Sequence, residues 1–238
     1  MKRFYMFAAG LFLTVSMAAC AAAGGFSNEK IRYKMTVTVE TPEGVKTGSA
    51  VREAGRYTEP SILPDQGGTF YNITKGEAVA VDLGQRGVLF VLLGRGDEAR
   101  TIFKALAITK KHEALTLSLP QYPKIIYFKD KKDPSTAELV LETDACPNPV
   151  TGVPRGSVCL KRDRFIDFFG TGTKLRSISV EKSDEEITEK VLEWLSWLPA
   201  YYNQRLDEQS RKSIKQEYPI ASRISGRSFK VEGTPNAD

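Results

Sequence analysis

A β-hairpin is encoded by the stretch IRYKMTVTVETPEGVKTGSAVRE, residues 31–53. In its first half, apolar residues alternate with charged or hydroxyl residues, and this period of two is typical of a half-buried strand. The sequence Pro42-Glu43-Gly44 is typical of a turn, and residues 45–53 predict the returning strand. The apolar positions that share one face are Ile31, Tyr33, Met35, Val37 and Val39. The hairpin therefore predicts an antiparallel sheet.

The segments that follow predict further strands and a short helix. Residues 77–83 and 88–93 are apolar runs joined by Gly84-Gln85-Arg86-Gly87, which predicts a second hairpin. The second run lacks polar alternation, as a central strand does. Residues 56–76 are rich in proline, glycine and threonine and are expected to form a loop, whereas 97–107 predict a helix. Short strands are expected at 115–119, 124–129, 138–142 and 174–181.

The last third of the chain carries the strongest helical pattern. Ser183 and Glu186 have the spacing of a capping box at a helix N-terminus, and Pro199 would end or kink the helix. The apolar positions at helical spacing are Ile187, Val191, Leu195 and Leu198. A second helix is expected over 200–212. Together the patterns predict a single α+β domain over residues 30–238, with mainly antiparallel strands in the N-terminal half and helices toward the C-terminus.

The first twenty residues carry a bacterial export signal. Lys2 and Arg3 supply positive charge, residues 4–15 are almost wholly apolar, and small residues precede Cys20. The apolar run is shorter than the roughly 20 residues that a transmembrane helix needs. Met17-Ala18-Ala19-Cys20 resembles the lipobox of bacterial lipoproteins, although leucine is more usual at its first position. The resemblance implies cleavage before Cys20, a diacylglycerol on its sulfur and an acylated amine.

The lipobox resemblance divides the chain into a signal peptide (1–19), a lipidated flexible tether (20–29) and the domain. Ala21 stands where an aspartate would retain a Gram-negative lipoprotein in the inner membrane. We therefore expect the outer membrane, a domain that faces the periplasm, and the lipid bilayer as a partner through acylated Cys20. The 34 basic and 29 acidic residues are interspersed. Because no basic stripe with interleaved aromatic residues occurs, nucleic acid is not expected as a partner.

Two cysteines remain once Cys20 is assigned to lipid. Cys146 and Cys159 flank a loop rich in proline and glycine, and the exported compartment is oxidising. An even pair around such a loop predicts a disulfide-closed loop at 146–159. A two-cysteine metal site is the alternative, but His112, the only histidine, has no neighbours at ligand spacing. We expect no cofactor and no resident metal.

Few residues point to a binding or catalytic site. An aromatic group near the C-terminus could stack on a sugar or a peptide, although three of its members share a helical face, which core packing also explains. If the chain were an enzyme, paired carboxylates would be its best catalytic groups. The aromatic candidates are Trp194, Trp197, Tyr201 and Tyr202. The carboxylate candidates are Asp130, Asp133, Asp163 and Asp167.

Three segments carry a further resemblance: IIYFKD at 125–130 with Asp133-Pro134, FGTGTKL at 169–175, and Trp197-Leu198-Pro199. With the first hairpin, they resemble a group of uncharacterised exported proteins of proteobacteria, relative to which the cysteine loop looks like an insertion. The resemblance implies one domain in the cell envelope and carries no activity and no site residues. We expect a non-enzymatic envelope lipoprotein that acts through an unknown envelope protein, by contact or assembly. A glycan- or lipid-binding module, and an unrecognised hydrolase or transferase, are the alternatives.

Overall fold

The computed structural model describes residues 28–59, 68–94, 96–147, 154–208 and 219–232. Residues 1–27, which include the expected signal peptide, Cys20 and most of the expected tether, lie outside these ranges. So do residues 60–67 of the expected loop, 148–153 of the cysteine loop and 209–212 of the expected second helix. Within the described ranges, no helix is both long enough and apolar enough to cross a membrane.

The described chain contains twelve strands, three α-helices and several 3₁₀ turns. The strands are β1 (Asn28–Thr41), β2 (Gly44–Glu59), β3 (Gly68–Glu77), β4 (Val79–Asp82), β5 (Val88–Val91), β6 (Leu115–Thr116), β7 (Ile125–Phe128), β8 (Ala137–Leu139), β9 (Leu141–Pro147), β10 (Pro154–Asp163), β11 (Lys174–Lys182) and β12 (Lys230–Val231). The α-helices are α1 (Asp97–Ile108), α2 (Phe165–Phe169) and α3 (Val191–Trp194). The 3₁₀ turns are Gly84–Arg86, Leu119–Gln121, Pro134–Thr136, Leu198–Tyr201, Ile220–Ser222 and Gly226–Ser228.

β1 and β2 form the hairpin that the alternating sequence predicts. Their register pairs Thr41 with Gly44 at the turn and Asn28 with Tyr57 at the other end. The apolar face of β1 is buried from Tyr33 to Val39, as the period of two requires. The prediction of a loop over 56–76 is wrong at both ends of that range, because β2 continues to Glu59 and pairs with β3 from Gly68. Threonine and aromatic residues in this segment favour the extended backbone more than its glycines oppose it.

Two antiparallel sheets and the C-terminal segment form three layers. The larger sheet has the strand order β12-β3-β2-β1-β11-β6, and the smaller has the order β4-β5-β7-β8. One face of the smaller sheet, with Leu89 and Val91, joins a core cluster with β1, β2 and α1. The opposite face, with Val88 and Phe90, joins a second cluster with the C-terminal segment. All four residues of β5 are therefore buried, which confirms the prediction of a central strand.

The expected α+β class is wrong, because the fold is mainly β. Strands account for 47% of the described residues and helical turns for 23%, with only three α-helices. The longest helix, α1, lies in the middle of the chain at Asp97–Ile108 and buries the predicted residues Ala99, Ile102, Phe103 and Leu106. The expected set of C-terminal helices is reduced to α3, α2 and short 3₁₀ turns.

The long helix predicted over 183–198 is absent, and distant strands explain why. Residues 183–190 have no helical structure, although Val191, Leu195 and Leu198 are buried at the expected positions. The N–H of Ser183 donates to the carbonyl of Arg32 on β1 at 3.1 Å. The N–H of Thr188 donates to the carbonyl of Val51 on β2 at 3.4 Å, and the N–H of Val51 donates to the hydroxyl of Thr188 at 3.2 Å. These bonds to the larger sheet replace the i→i−4 bonds that a helix would make.

Candidate functional site

The predicted disulfide is present. Cys146 and Cys159 are bonded, with Cα atoms 4.9 Å apart, and they close a two-stranded ribbon made of β9 and β10. The ribbon is separate from both sheets, and its residues from 143 to 145 and from 159 to 163 are exposed. The base of β10 contacts the turn Leu119–Gln121. The ribbon is therefore a covalently closed arm attached to the side of the domain.

Three of the four aromatic candidates contact the second core cluster, and two of them, Trp197 and Tyr201, also pack on each other. The Trp197 ring lies edge-to-face against Phe128 at 5.6 Å and Phe229 at 6.0 Å between centroids. Its Nε1 donates to the carbonyl of Lys131 at 2.7 Å. Tyr201 packs edge-to-face on the other side of Trp197, at 5.5 Å. The indole is thus used for packing and for one hydrogen bond inside the domain.

The other two aromatic candidates face cations of this chain. The Nζ of Lys131 lies 5.3 Å from the centroid of Trp194, and the guanidinium of Arg227 lies 5.2 Å from the centroid of Tyr202. Both separations are within the range of a cation–π contact. The structure therefore brings Trp194 and Trp197 close to Lys131, and places Tyr202 beside a different loop.

The four candidate carboxylates lie in two separate turns and have local partners. Asp130 and Asp133 lie between β7 and β8, where their Oδ1 atoms accept from the N–H groups of Lys132 and Ser135, each at 2.9 Å. At α2, Asp163 accepts from the N–H of Phe165 at 2.9 Å, and Asp167 lies 4.0 Å from Arg164. These contacts are typical of residues that cap turns and short helices.

Metal-ligating side chains do not converge in the described part of the chain, where no group of three or more histidine, cysteine, aspartate or glutamate residues is found. His112 is exposed in the turn after α1, with a positive φ of 62°.

The feature that sequence reasoning missed is a trough along β8, the edge strand of the smaller sheet. The N–H of Val140 donates to Ile125 on β7 at 2.9 Å, and that of Lys129 to Thr136 at 3.5 Å. Antiparallel pairing alternates between bonded and non-bonded residues. The backbone groups of Ala137 and Leu139 therefore point away from β7, into the trough. The N–H of Ala137 donates to the carbonyl of Pro134, and Ala137 is buried. In the described chain this leaves the N–H and the carbonyl of the half-buried Leu139 as the accessible backbone groups of the strand.

The trough consists of two adjoining depressions of about 400 and 370 Å³. The first lies between β8 and the turn Ile220–Ser222. The second continues past the base of the ribbon to Tyr122 and Pro123. Leu139, Glu142 and Arg223 line both depressions and mark where they meet. An open trough of this shape suits a chain segment better than a small enclosed ligand.

Most charges along the trough are already neutralised. Glu138 bridges two cations, with Oε1 2.5 Å from Lys129 Nζ and Oε2 2.7 Å from an Nη of Arg164. Burial alone would raise the pKa of Glu138, but the hydrogen bonds and charges of these two cations hold it below its ordinary value. Glu142 lies 3.5 Å from Arg162 of the ribbon.

Arg223 differs from Lys129 and Arg164, the two trough cations that are paired with Glu138. Its side chain is exposed, and within the described ranges no ion pair or hydrogen bond to its guanidinium is found. It lies at the junction of both depressions and also borders a smaller one of about 220 Å³ beside Arg205 and Ser225. A guanidinium presents a planar fork of donors that matches a carboxylate. Arg223 is thus an available charged group at the point where the two depressions meet.

Below the second depression lies a buried polar group. Glu98, which lines the trough, has its pKa raised by burial and lowered in part by Lys124 and Arg52. Arg52 is fully buried, and burial lowers its pKa while the neighbouring Tyr33 raises it. The Tyr33 hydroxyl is buried without a hydrogen-bond partner of good geometry, and burial raises its pKa. Among these groups, Arg52 joins the two sheets by donating to the carbonyls of Glu77 and Val91.

No local pattern in the sequence marks this trough. Arg223 follows an apolar turn and belongs to no motif, and β8 has only three residues. Comparisons of the chain with protein-family models, with curated proteins and with solved structures found no match.

Proposed function

We propose that this chain is a non-enzymatic lipoprotein of the bacterial envelope that binds an extended, acidic segment of an envelope protein along the trough. Cys20 carries the lipid in the outer membrane, and the domain faces the periplasm. The segment adds a strand to the edge of β8 by bonding to the backbone of Leu139. A carboxylate of the segment accepts hydrogen bonds from Arg223.

The observation that carries this proposal is an unpaired guanidinium beside an open strand edge. Strand addition supplies main-chain hydrogen bonds, and side-chain contacts select the partner. A charge-assisted bond to Arg223 is stronger than a bond between neutral groups. Arg223 projects from the turn that faces β8 across the trough, so one segment can use both features. The glycan-binding and catalytic alternatives have no comparable support, because their candidate residues are engaged within the domain.

Photo-crosslinking in cells tests the protein contact. A benzophenone amino acid replaces Ser135, which is exposed in the trough, or Thr47, which is exposed on β2 as a matched control. We expect a discrete adduct from position 135, its loss when Arg223→Glu is added, and no adduct of that size from position 47. Equal adducts from both positions, or a trough adduct that is indifferent to Arg223→Glu, would contradict the proposal.

Metabolic labelling tests the anchor separately. An alkyne analogue of palmitate should label the wild-type chain and should fail to label Cys20→Ala. Equal labelling of the two chains would contradict lipidation at Cys20, whatever the crosslinking shows.

A further inference from the structure

An exposed aromatic pair stands at one end of the larger sheet. The rings of Tyr57 on β2 and Phe70 on β3 stack with centroids 5.2 Å apart and an interplanar angle of 21°. Phe70 remains 42% exposed, one of the few large apolar side chains of the described chain that is so accessible. Neither ring belongs to either core cluster. The pair is therefore an apolar surface that packing within the domain does not explain.

The described chain begins at this same end of the sheet. Asn28, the first residue of β1, pairs with Tyr57, and Tyr57 pairs with Phe70 on the next strand. Neighbouring strands are about 4.8 Å apart, so the backbone of Phe70 lies about 10 Å from that of Asn28. An anchor attached through the residues before Asn28 therefore keeps the aromatic pair near that anchor.

The length of the tether limits how far this end can lie from the membrane. Residues 20–27 separate the proposed lipidated Cys20 from Asn28, and a fully extended chain advances at most about 3.3–3.6 Å per residue. The tether therefore spans at most about 29 Å. Val45, at the opposite end of β2, is about 40 Å farther along the strand, at 3.3 Å per residue. The tether therefore keeps the aromatic end within about 29 Å of the lipid, and it sets no such limit on Val45.

The charges at this end do not oppose contact with lipid headgroups. Arg56 pairs with Glu29 at 2.7 Å, and Lys30 pairs with Glu53 at 3.3 Å. The polar residues next to the rings are Thr58 and Thr69, whose hydroxyl oxygens lie 3.3 Å apart. Aromatic rings, and tyrosine in particular, favour the boundary between headgroups and acyl chains.

We propose that the Tyr57–Phe70 end of the sheet inserts into the lipid interface and fixes the orientation of the domain on the membrane. The inference rests on the proposed lipidation at Cys20, which supplies the anchor. The bilayer surface is the occupant of this apolar patch. The trough along β8 remains in the aqueous compartment, where a protein segment can reach it.

A fluorescent depth measurement on the full acylated protein tests this orientation. The protein is purified from cells and placed in vesicles of phosphatidylethanolamine and phosphatidylglycerol. An NBD fluorophore is attached at Thr69→Cys, next to Phe70, or at Val45→Cys, which is also exposed, at the other end of β2. We expect blue-shifted emission from position 69 and quenching by a nitroxide on the lipid. Position 45 should emit as in water.

The outcomes separate the orientation from the anchor. If the protein floats with the vesicles but the fluorophore at position 69 emits as in water, the orientation is overturned and the lipid anchor stands. If the acylated protein does not float, both are overturned. Adding Phe70→Ser to the Thr69→Cys protein should return the emission toward that of water while flotation persists, and unchanged quenching would also overturn a role for the ring.

Discussion

Arg52 shows how one residue joins the two sheets. It is fully buried on β2, and its Nε donates to the carbonyl of Glu77 at 2.8 Å, at the end of β3. One Nη donates to the carbonyl of Val91 at 2.9 Å, on β5 of the smaller sheet. The planar fork of the guanidinium satisfies carbonyls from two elements at once, which a single ammonium group cannot do with the same geometry.

Arg52→Lys should therefore destabilise the domain although it keeps the charge. At least one buried carbonyl loses its donor, and an unsatisfied buried group costs about 1–3 kcal/mol. Urea unfolding of the mature domain measures the loss. The matched control is Arg176→Lys on the exposed face of β11, which should change the midpoint little. Equal midpoints for wild type and Arg52→Lys would show that the fork is not needed.

A second arginine ties together three turns near the surface. Arg86, between β4 and β5, donates from Nε and Nη2 to the carboxylate of Glu43 at 2.8 and 2.7 Å. Its Nη1 donates to the carbonyl of Phe169 at 2.7 Å. The hydrogen bonds from Arg86 lower the pKa of Glu43 from 4.5 to about 2. The folded state therefore holds the Glu43 proton less tightly than the unfolded state does.

This pKa predicts a defined pH dependence. Because the folded pKa is depressed, the contribution of Glu43 to stability is fully present above about pH 4.5 and is lost as the pH falls toward 2. At neutral pH, Glu43→Gln should unfold at lower urea than wild type, and the difference should narrow across that interval. Urea midpoints measured through the interval check this. A difference that stays constant down to the acid limit would mean that the Glu43–Arg86 pair is not formed.

At the scale of elements, the N-terminus of α3 is capped from another part of the fold. The sequence predicts a capping box from Ser183 and Glu186, yet the N–H groups of Lys190 and Val191 donate to the carboxylate of Glu77 at 2.8 and 2.7 Å. A carboxylate at this position satisfies N–H groups that a helix start leaves free. Glu77 lies more than a hundred residues away in the sequence, so a local pattern cannot reveal it.

Glu77→Ala should consequently weaken the attachment of the C-terminal segment. Two N–H groups, one of them on the buried Val191, lose their acceptor, at a cost of about 1–3 kcal/mol for each buried group. Glu186→Ala is the matched control, because Glu186 is exposed and belongs to the expected capping box. Thermal unfolding followed by tryptophan fluorescence should show a lower midpoint for the first variant alone. A larger decrease of the midpoint in Glu186→Ala than in Glu77→Ala would contradict the capping of α3 by Glu77.

At the scale of the whole molecule, the ribbon is an accessory to a layered core. The core clusters are built from the sheets, α1, α2 and the C-terminal segment. Among the ribbon side chains that the structure describes, Leu141 is the one that packs against them. The disulfide closes β9 onto β10 with a sequence separation of 13 residues. On the chain-entropy model, a closure of this length stabilises the closed form by about 3 kcal/mol.

Removing the disulfide should open the ribbon and leave the core folded. In a Cys146→Ser/Cys159→Ser variant, we expect trypsin to cleave after Lys161 and Arg162 on the order of a hundredfold faster, as about 3 kcal/mol predicts for cleavage from an opened state. The cooperative transition reported by Trp194 and Trp197 should persist. Loss of this cooperative transition in the variant, together with cleavage of the ribbon, would mean that the ribbon is part of the core.

The sequence by itself determines the features whose signal is local. The period of two predicts the first hairpin, the unbroken apolar run predicts the central strand β5, and the spacing of Ala99, Ile102, Phe103 and Leu106 predicts α1. Each pattern reports which face of its own element is buried. The pair Cys146 and Cys159 is likewise predicted from composition and spacing.

Only the tertiary structure decides the fold class and the candidate site. Residues 183–190 bond to β1 and β2, so a strong helical pattern yields a segment without regular secondary structure, and the domain is mainly β. The trough forms because a three-residue edge strand lies opposite Arg223, more than eighty residues later in the chain. Backbone groups are satisfied by whichever partner the packed chain brings within reach, and sequence periodicity carries no information about partners that are distant in the chain.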